Sequence, residues 1–172
     1  MDHEKYMKQA LDQAEEAIAL NEFPVGCVIE YHGNIIASGQ RTHTTLQINE
    51  LDHAEILALR NVLNSEYDID MAEVTVYSTM EPCLMCFSTL LVNGVRRFVY
   101  AYEDVMGGGT NLPLTSLSPL YKDLQITLVK DVLRDKSLNL FKSFFSNPAN
   151  NYLRGSLLAA YTLQQEITTN QL

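Results

Sequence analysis

The chain has 172 residues, 47% of them hydrophobic and 19% charged, with a formal net charge of −9. That balance fits one globular domain with a sizeable buried core and excludes a disordered, collagen-like or coiled-coil chain. No apolar run reaches the roughly 18 residues that span a bilayer, and the acidic start Met1-Asp2-His3-Glu4-Lys5 has no secretory h-region. The cysteine count of three is odd and too small for a disulfide scaffold, so a reducing, cytoplasmic setting is expected.

Residues 4–20 place Met7, Ala10, Leu11, Ala14 and Ile18 at helical spacing among charged residues, an amphipathic helix closed by Asn21 and Pro24. "PVGCVIEY" and "NIIASGQR" flank His32-Gly33 and read as a hairpin. "HAEILALRNVL" returns to helical spacing, with Ile56, Leu59 and Leu63 on one side. "AEVTVYSTM" is rich in β-branched and aromatic residues and reads as a strand. "CLMCFSTLLVNG" is a helix ended by Asn93-Gly94, and "VRRFVYAY" is a strand. "MGGGTNLPLTSLSP" is a loop too long for a tight turn, of the kind that borders sites. The strand "LQITLV", the helix "DVLRDKSLNLFKSFF" broken by Asn147-Pro148, and a last helix in "YLRGSLLAAYTLQQ", at about 151–166, complete the chain. The order α-β-β-α-β-α-β-β-α-α implies a mixed sheet with helices on both faces. No repeat or linker divides it, so a single domain over 1–172 is expected.

Charge is unevenly spread. Residues 1–95 hold 4 Lys/Arg against 15 Asp/Glu, whereas residues 96–172 hold 8 against 6. The overall acidity argues against a protein built to coat nucleic acid. Phosphates are tolerated best by the C-terminal half.

The chain's chemistry concentrates in two phrases, "LDHAEILAL" and "EPCLMC". Zinc takes thiolate and imidazole ligands in a tetrahedron. Cys83 and Cys86 are three apart, which on a helix puts both sulfurs on one side. Pro82 suits a helix start, where free N–H groups and the helix dipole favour thiolates. His53 likewise heads a helix, behind the possible caps Asn49 and Asp52. Three protein ligands leave a fourth position open, the mark of a catalytic zinc, and such a metal lowers the pKa of water towards about 7. Glu55, in the first turn after His53, is the natural proton carrier.

Other readings stand beside this one. The four residues can be ordinary helix-start residues. A closed structural zinc site needs a fourth ligand, for which Cys27, His32 and His43 are the choices. A redox Cys-x-x-Cys pair needs neither His53 nor Glu55. Arg41 can bind a phosphate or form a surface ion pair. Asp104 can shape a turn or touch substrate, and Phe144 and Phe145 can be core or a stacking platform.

The pattern H-x-E…P-C-x-x-C is the signature of zinc nucleobase deaminases. "DHAEILAL" and "TMEPCLMC" resemble the zinc-dependent cytidine/deoxycytidylate deaminase superfamily. With "NEFPVGCVI", "VRRFVYAYED" and "SFF", the chain over about residues 4–146 is most similar to the bacterial tRNA adenosine deaminases. The resemblance implies a three-layer α/β/α cytidine deaminase-like fold, with a five-stranded mixed sheet and helices on both faces. It implies Zn2+ on His53, Cys83 and Cys86, and hydrolytic deamination of a nucleobase with Glu55 as proton shuttle. In the tRNA branch the target is the wobble adenosine, flipped into the pocket, and the product is inosine. Pro24, Val25, Ala54 and Asp104 fall at substrate-binding positions, the Ala54 and Cys83 amides face the base and the reacting centre, and Phe144 and Phe145 match a C-terminal aromatic pair. A homodimer is implied.

The chain departs from that pattern at Gly39-Gln40-Arg41, where the family has Gly-x-Asn, and at Asp52, where it has a small residue. The loop "VMGGGTN" lacks a lysine common in RNA-binding members, and the last helix lies beyond the usual end. None of these touches the metal or the shuttle. A free base, nucleoside or nucleotide such as guanine, cytosine, cytidine or deoxycytidylate is therefore the alternative substrate. A catalytically silent or structural-zinc binding module is the alternative of another class.

Overall fold

The two-residue turn His32-Gly33 sets the first piece of sheet. In the computed structural model, which describes residues 2–66 and 68–167, both turn residues have positive φ, 49° and 87°. That is the backbone a tight hairpin needs if the strand twist is to continue through it. β1 (Gly26–Tyr31) and β2 (Asn34–Gln40) pair antiparallel on either side. Before them α1 (His3–Ala19) starts on Asp2, whose carboxylate accepts the Lys5 amide at 3.2 Å. Its buried face is Tyr6, Met7, Ala10, Leu11, Ala14 and Ala17, with Ile18 only partly covered.

The other elements follow in chain order: α2 (Ala54–Leu63), β3 (Thr75–Met80), α3 (Leu84–Val92) and β4 (Arg97–Tyr102). Then come a 3-10 turn at Leu114–Ser116, α4 (Pro119–Lys122), β5 (Thr127–Val129), α5 (Arg134–Ser146) and α6 (Leu157–Gln164). The sheet order is β2-β1-β3-β4-β5. β1 is antiparallel to both β2 and β3, and β4 is parallel to β3 and β5. This is the mixed five-stranded α/β architecture the sequence implies. The strand alternation sorts the core. Val28, Tyr77 and Val99 face α1, while Cys27, Ile29, Val76 and Phe98 face the larger cluster that includes α2 and α3 residues.

Ile56, Leu59 and Leu63 share one side of α2 as expected and line one groove there, with Leu63, at the helix end, 52% exposed. Two expectations need correction. The long glycine-rich loop contains the 3-10 turn, and α4 starts at its last residue, Pro119. The last helix is shorter than 151–166, because Leu153 and Gly155 take left-handed φ values of 55° and 74° and break the coil before Ser156 caps α6. No helix among the described residues is long and apolar enough to cross a membrane.

Candidate functional site

β2 and β3 flank β1 and each runs antiparallel to it, so both point the same way. The helices that follow them therefore start at one edge of the sheet. His53 immediately precedes α2 with φ −69° and ψ 148°, and Cys83 immediately precedes α3 with φ −65° and ψ 168°. Neither side chain caps its own helix. Asn49 and Asp52 do not cap α2 either. Asn49 donates to Asp52 at 2.7 Å, and Asp52 is paired with His43 at 2.8 Å.

Cys86 lies in the first turn of α3 and is buried. His53 Nδ1 is 3.5 Å from Cys83 Sγ and 3.4 Å from Cys86 Sγ. The three donor atoms lie within 4.8 Å of one another, and no other such group of three occurs among the described residues. One imidazole and two sulfurs at that spacing are the donor set of a zinc site with an open fourth position. The alternatives for a fourth protein ligand do not approach. Cys27 is buried on β1, and its thiol pKa is pushed well up, burial being the main cause. His32 and His43 are exposed and paired with Glu73 and Asp52.

The electrostatics suit a cation. The Cys83 thiol is pulled down to about 4, chiefly by the hydrogen bond from Cys86 and further by His53, against burial. Cys86 moves up, because it is the donor of that bond and is buried. Burial works against protonation of His53, but the hydrogen bond to Cys83 and the nearby charges of Glu55 and Cys83 together outweigh it and the pKa rises. Glu55, on the first turn of α2, is 3% exposed, and burial raises its pKa against the pull of His53.

These groups open on a pocket of about 470 Å³, partly continuous with solvent. Its walls come from the carboxyl ends of β2 and β3 and the segment entering β1, the edge where open α/β sheets hold ligands. Val25, Ala54 and Asp104 line it. Pro24 is buried but is not among the lining residues. Asp104 forms its turn, with Oδ1 accepting the amides of Met106 at 3.0 Å and Gly107 at 2.9 Å. Burial raises its pKa. Phe144 is core and Phe145 packs against it, both against Phe23.

Sequence reasoning missed three contributors. Glu81, 5% exposed, accepts the Asp104 amide at 3.2 Å and the Thr110 hydroxyl at 2.5 Å, so it fastens the glycine loop to the metal-ligand turn. A Cβ on Gly108 would lie 2.6 Å from Glu81 Cδ and 2.6 Å from the Asp104 carbonyl oxygen, which is why a glycine stands there. Arg41 does form an ion pair, with Glu50 at 2.9 Å, but its own side chain is 2% exposed inside the pocket wall, so it is not a free phosphate ligand. Tyr152, Leu153 and Leu158, from the C-terminal segment, complete the wall.

The model of the cytidine and deoxycytidylate deaminase zinc-binding region matches residues 1–102. The tRNA-specific adenosine deaminase of Haemophilus influenzae is 31% identical over 143 residues, 83% of this chain and 82% of that one. A solved structure from studies of A-to-I editing by tRNA:A34 deaminases at the wobble position has a TM-score of 0.60 at 26% identity, over 73% of this chain and 96% of the other. The guanine deaminase of Bacillus subtilis has a TM-score of 0.51 at 34% identity, over 60% of this chain and 66% of the other.

Proposed function

The chain belongs to the family of cytidine and deoxycytidylate deaminases with a zinc-binding region, and from that premise we propose that it deaminates adenosine to inosine in tRNA, at the anticodon wobble position. Membership makes it a zinc-dependent hydrolytic deaminase. The choice of substrate is carried by the likeness to a tRNA-specific adenosine deaminase across 83% of the chain.

In this reading His53, Cys83 and Cys86 hold the zinc. When bound, zinc supplies the Lewis acidity that makes water nucleophilic near neutral pH. Glu55 takes a proton from the attacking water and hands it to the departing amine, so that the base gains an oxygen and ammonia leaves. Its burial, which makes the protonated form easier to reach, supports that role. Val25 and Ala54 bound the base. The Ala54 amide, first in α2 and without an intrahelical acceptor, faces it. The Cys83 amide serves the reacting centre. Pro24 backs Val25, and Asp104 shapes the loop beside the base.

The enzyme works as a homodimer. Leu63, Leu84 and Val92 are 52%, 53% and 59% exposed, beside an apolar groove lined by residues of α2 and α3. A reducing cytoplasmic setting suits three free cysteines.

A second reading is deamination of a free base such as guanine. One observation favours it: Tyr152, Leu153 and Leu158, from the C-terminal segment, add an apolar and aromatic wall to the pocket, which suits a small enclosed base. An ammonia-release assay separates the two. The tRNA reading expects turnover of an anticodon stem-loop, with RNA affinity falling steeply with salt. Turnover of guanine, cytosine, cytidine or deoxycytidylate with an inert stem-loop refutes it.

A further inference from the structure

A buried cation, a carboxylate and a tyrosine are fastened to the back of His53. Arg41 follows β2 and turns its guanidinium under the next loop. Nη1 donates to the carbonyl oxygens of Thr42 at 2.9 Å and Asn49 at 2.8 Å. Nη2 donates to Glu50 Oε2 at 2.9 Å and to the Tyr152 hydroxyl at 3.3 Å. The Tyr152 ring lies under the same guanidinium, 5.6 Å from centroid to Cζ, and its hydroxyl donates to Glu50 Oε2 at 2.9 Å. That Oε2 is 3.4 Å from Nε2 of His53. It therefore addresses the ring nitrogen opposite Nδ1, the one that faces both sulfurs.

The two ring nitrogens have opposite duties at a metal. The ligating nitrogen must offer a lone pair, so the proton must sit on the other, and an acceptor there fixes both tautomer and ring orientation. Glu50 supplies that acceptor. Its side chain is 57% exposed, so a lone carboxylate at this place would sample many rotamers. Two donors on Oε2, one from a buried guanidinium, hold it. One of them comes from a residue 102 positions further along the chain.

We infer that Glu50 is the positioning residue of the metal centre, accepting from Nε2 of His53, and that Arg41 and Tyr152 hold it there, which makes the C-terminal segment part of the site. This rests on the zinc reading of His53, Cys83 and Cys86. It gives Arg41 a task other than phosphate binding, and it gives the segment before α6 a task other than packing.

The test uses the full chain, stripped and reloaded, with zinc affinity measured by competition against a chromophoric chelator and ligand geometry read from the absorption bands of the Co2+ form. Glu50→Ala should weaken zinc by about 10- to 100-fold and shift the Co2+ bands. Glu50→Gln, whose amide oxygen still accepts from Nε2, should recover part of the loss. Tyr152→Phe, which keeps the ring and removes the donor, should show a smaller loss in the same direction. If Glu50→Ala misfolds by circular dichroism, the two shape-conserving variants decide. Variants with the parent's affinity and Co2+ spectrum, in a parent that binds one zinc, overturn the inference alone. A parent that binds no zinc overturns the zinc reading as well.

Discussion

A Cβ placed on Gly39 would stand 2.4 Å from the carbonyl oxygen of Ala54, and 2.7 Å from the amide of Ala58. The first turn of α2 thus lies on the backbone of β2 with no room for a methyl group, and His53 is the residue immediately before that turn. Gly39→Ala must push the helix start off the strand. Inserting a methyl into a packed contact costs about 1–3 kcal/mol. Thermal unfolding should record that loss, and zinc affinity should fall with it because one ligand moves relative to two that do not. A variant with the parent's melting temperature would mean that α2 is free to ride over the strand.

Glu55 has the opposite profile, since its chemistry exceeds its structural cost. Glu55→Gln keeps the shape of a 3%-exposed side chain and removes a charge that burial disfavours. The melting temperature of the variant should equal or exceed the parent's, and its zinc content should be unchanged. With no proton carrier, kcat should drop by about 10²–10⁴-fold. Ammonia release at saturating substrate, with zinc measured on the same sample, checks both halves. Parental turnover in the variant would remove Glu55 from the mechanism.

The parts of this molecule legible in the sequence are those whose signals are local. His32-Gly33 between alternating apolar residues announces a hairpin, because only positive φ closes a two-residue turn there. His53, Cys83 and Cys86 announce a metal, because donor chemistry is written in residue type and the helix starts bring them to one edge. Arg41 could not be read in that way. A lone arginine after a strand looks solvated. Its burial depends on Glu50, nine residues on, and on Tyr152, 111 residues on. The length of α6 was hidden for a related reason. "YLRGSLLAAYTLQQ" has helical composition throughout, but Tyr152 is held to Arg41 and Glu50, and the backbone reaches α6 through left-handed turns at Leu153 and Gly155.

Acid should weaken the docking of the C-terminal helices in a definite direction. Glu103 follows β4 and accepts from Nε of Arg134 at 2.8 Å, again from its Nη2, and from the Tyr161 hydroxyl at 2.7 Å. Burial alone would raise its pKa, but these bonds outweigh burial and hold it below the ordinary 4.5. A carboxylate with a folded pKa below its unfolded one stabilises the fold while ionised. That contribution is complete above the unfolded value and fades as pH falls through the folded one. Glu103→Gln should therefore cost about 1.5–3 kcal/mol in denaturant unfolding at neutral pH, the worth of a hydrogen bond to a charged group. The gap to the parent should narrow below about pH 4, where the parent's own carboxylate protonates. A gap constant across that range would show that shape, not charge, sets the contact.

Association can be tested without touching the site. Val92 ends α3 at 59% exposure, and Leu84, at 53%, heads the same helix, so neither is anchored in this chain's own core. Apolar side chains left out at that level carry no cost to folding when replaced by a charge, yet a two-fold interface meets each replacement twice. Val92→Lys should keep the parent's melting curve in the monomer, since no buried contact is lost. It should raise the dimer dissociation constant by at least about tenfold, the equivalent of about 1.4 kcal/mol. Sedimentation velocity over a concentration series measures this directly. A dimer of undiminished strength would put the interface on another face, and a parent that stays monomeric throughout would refute the homodimer.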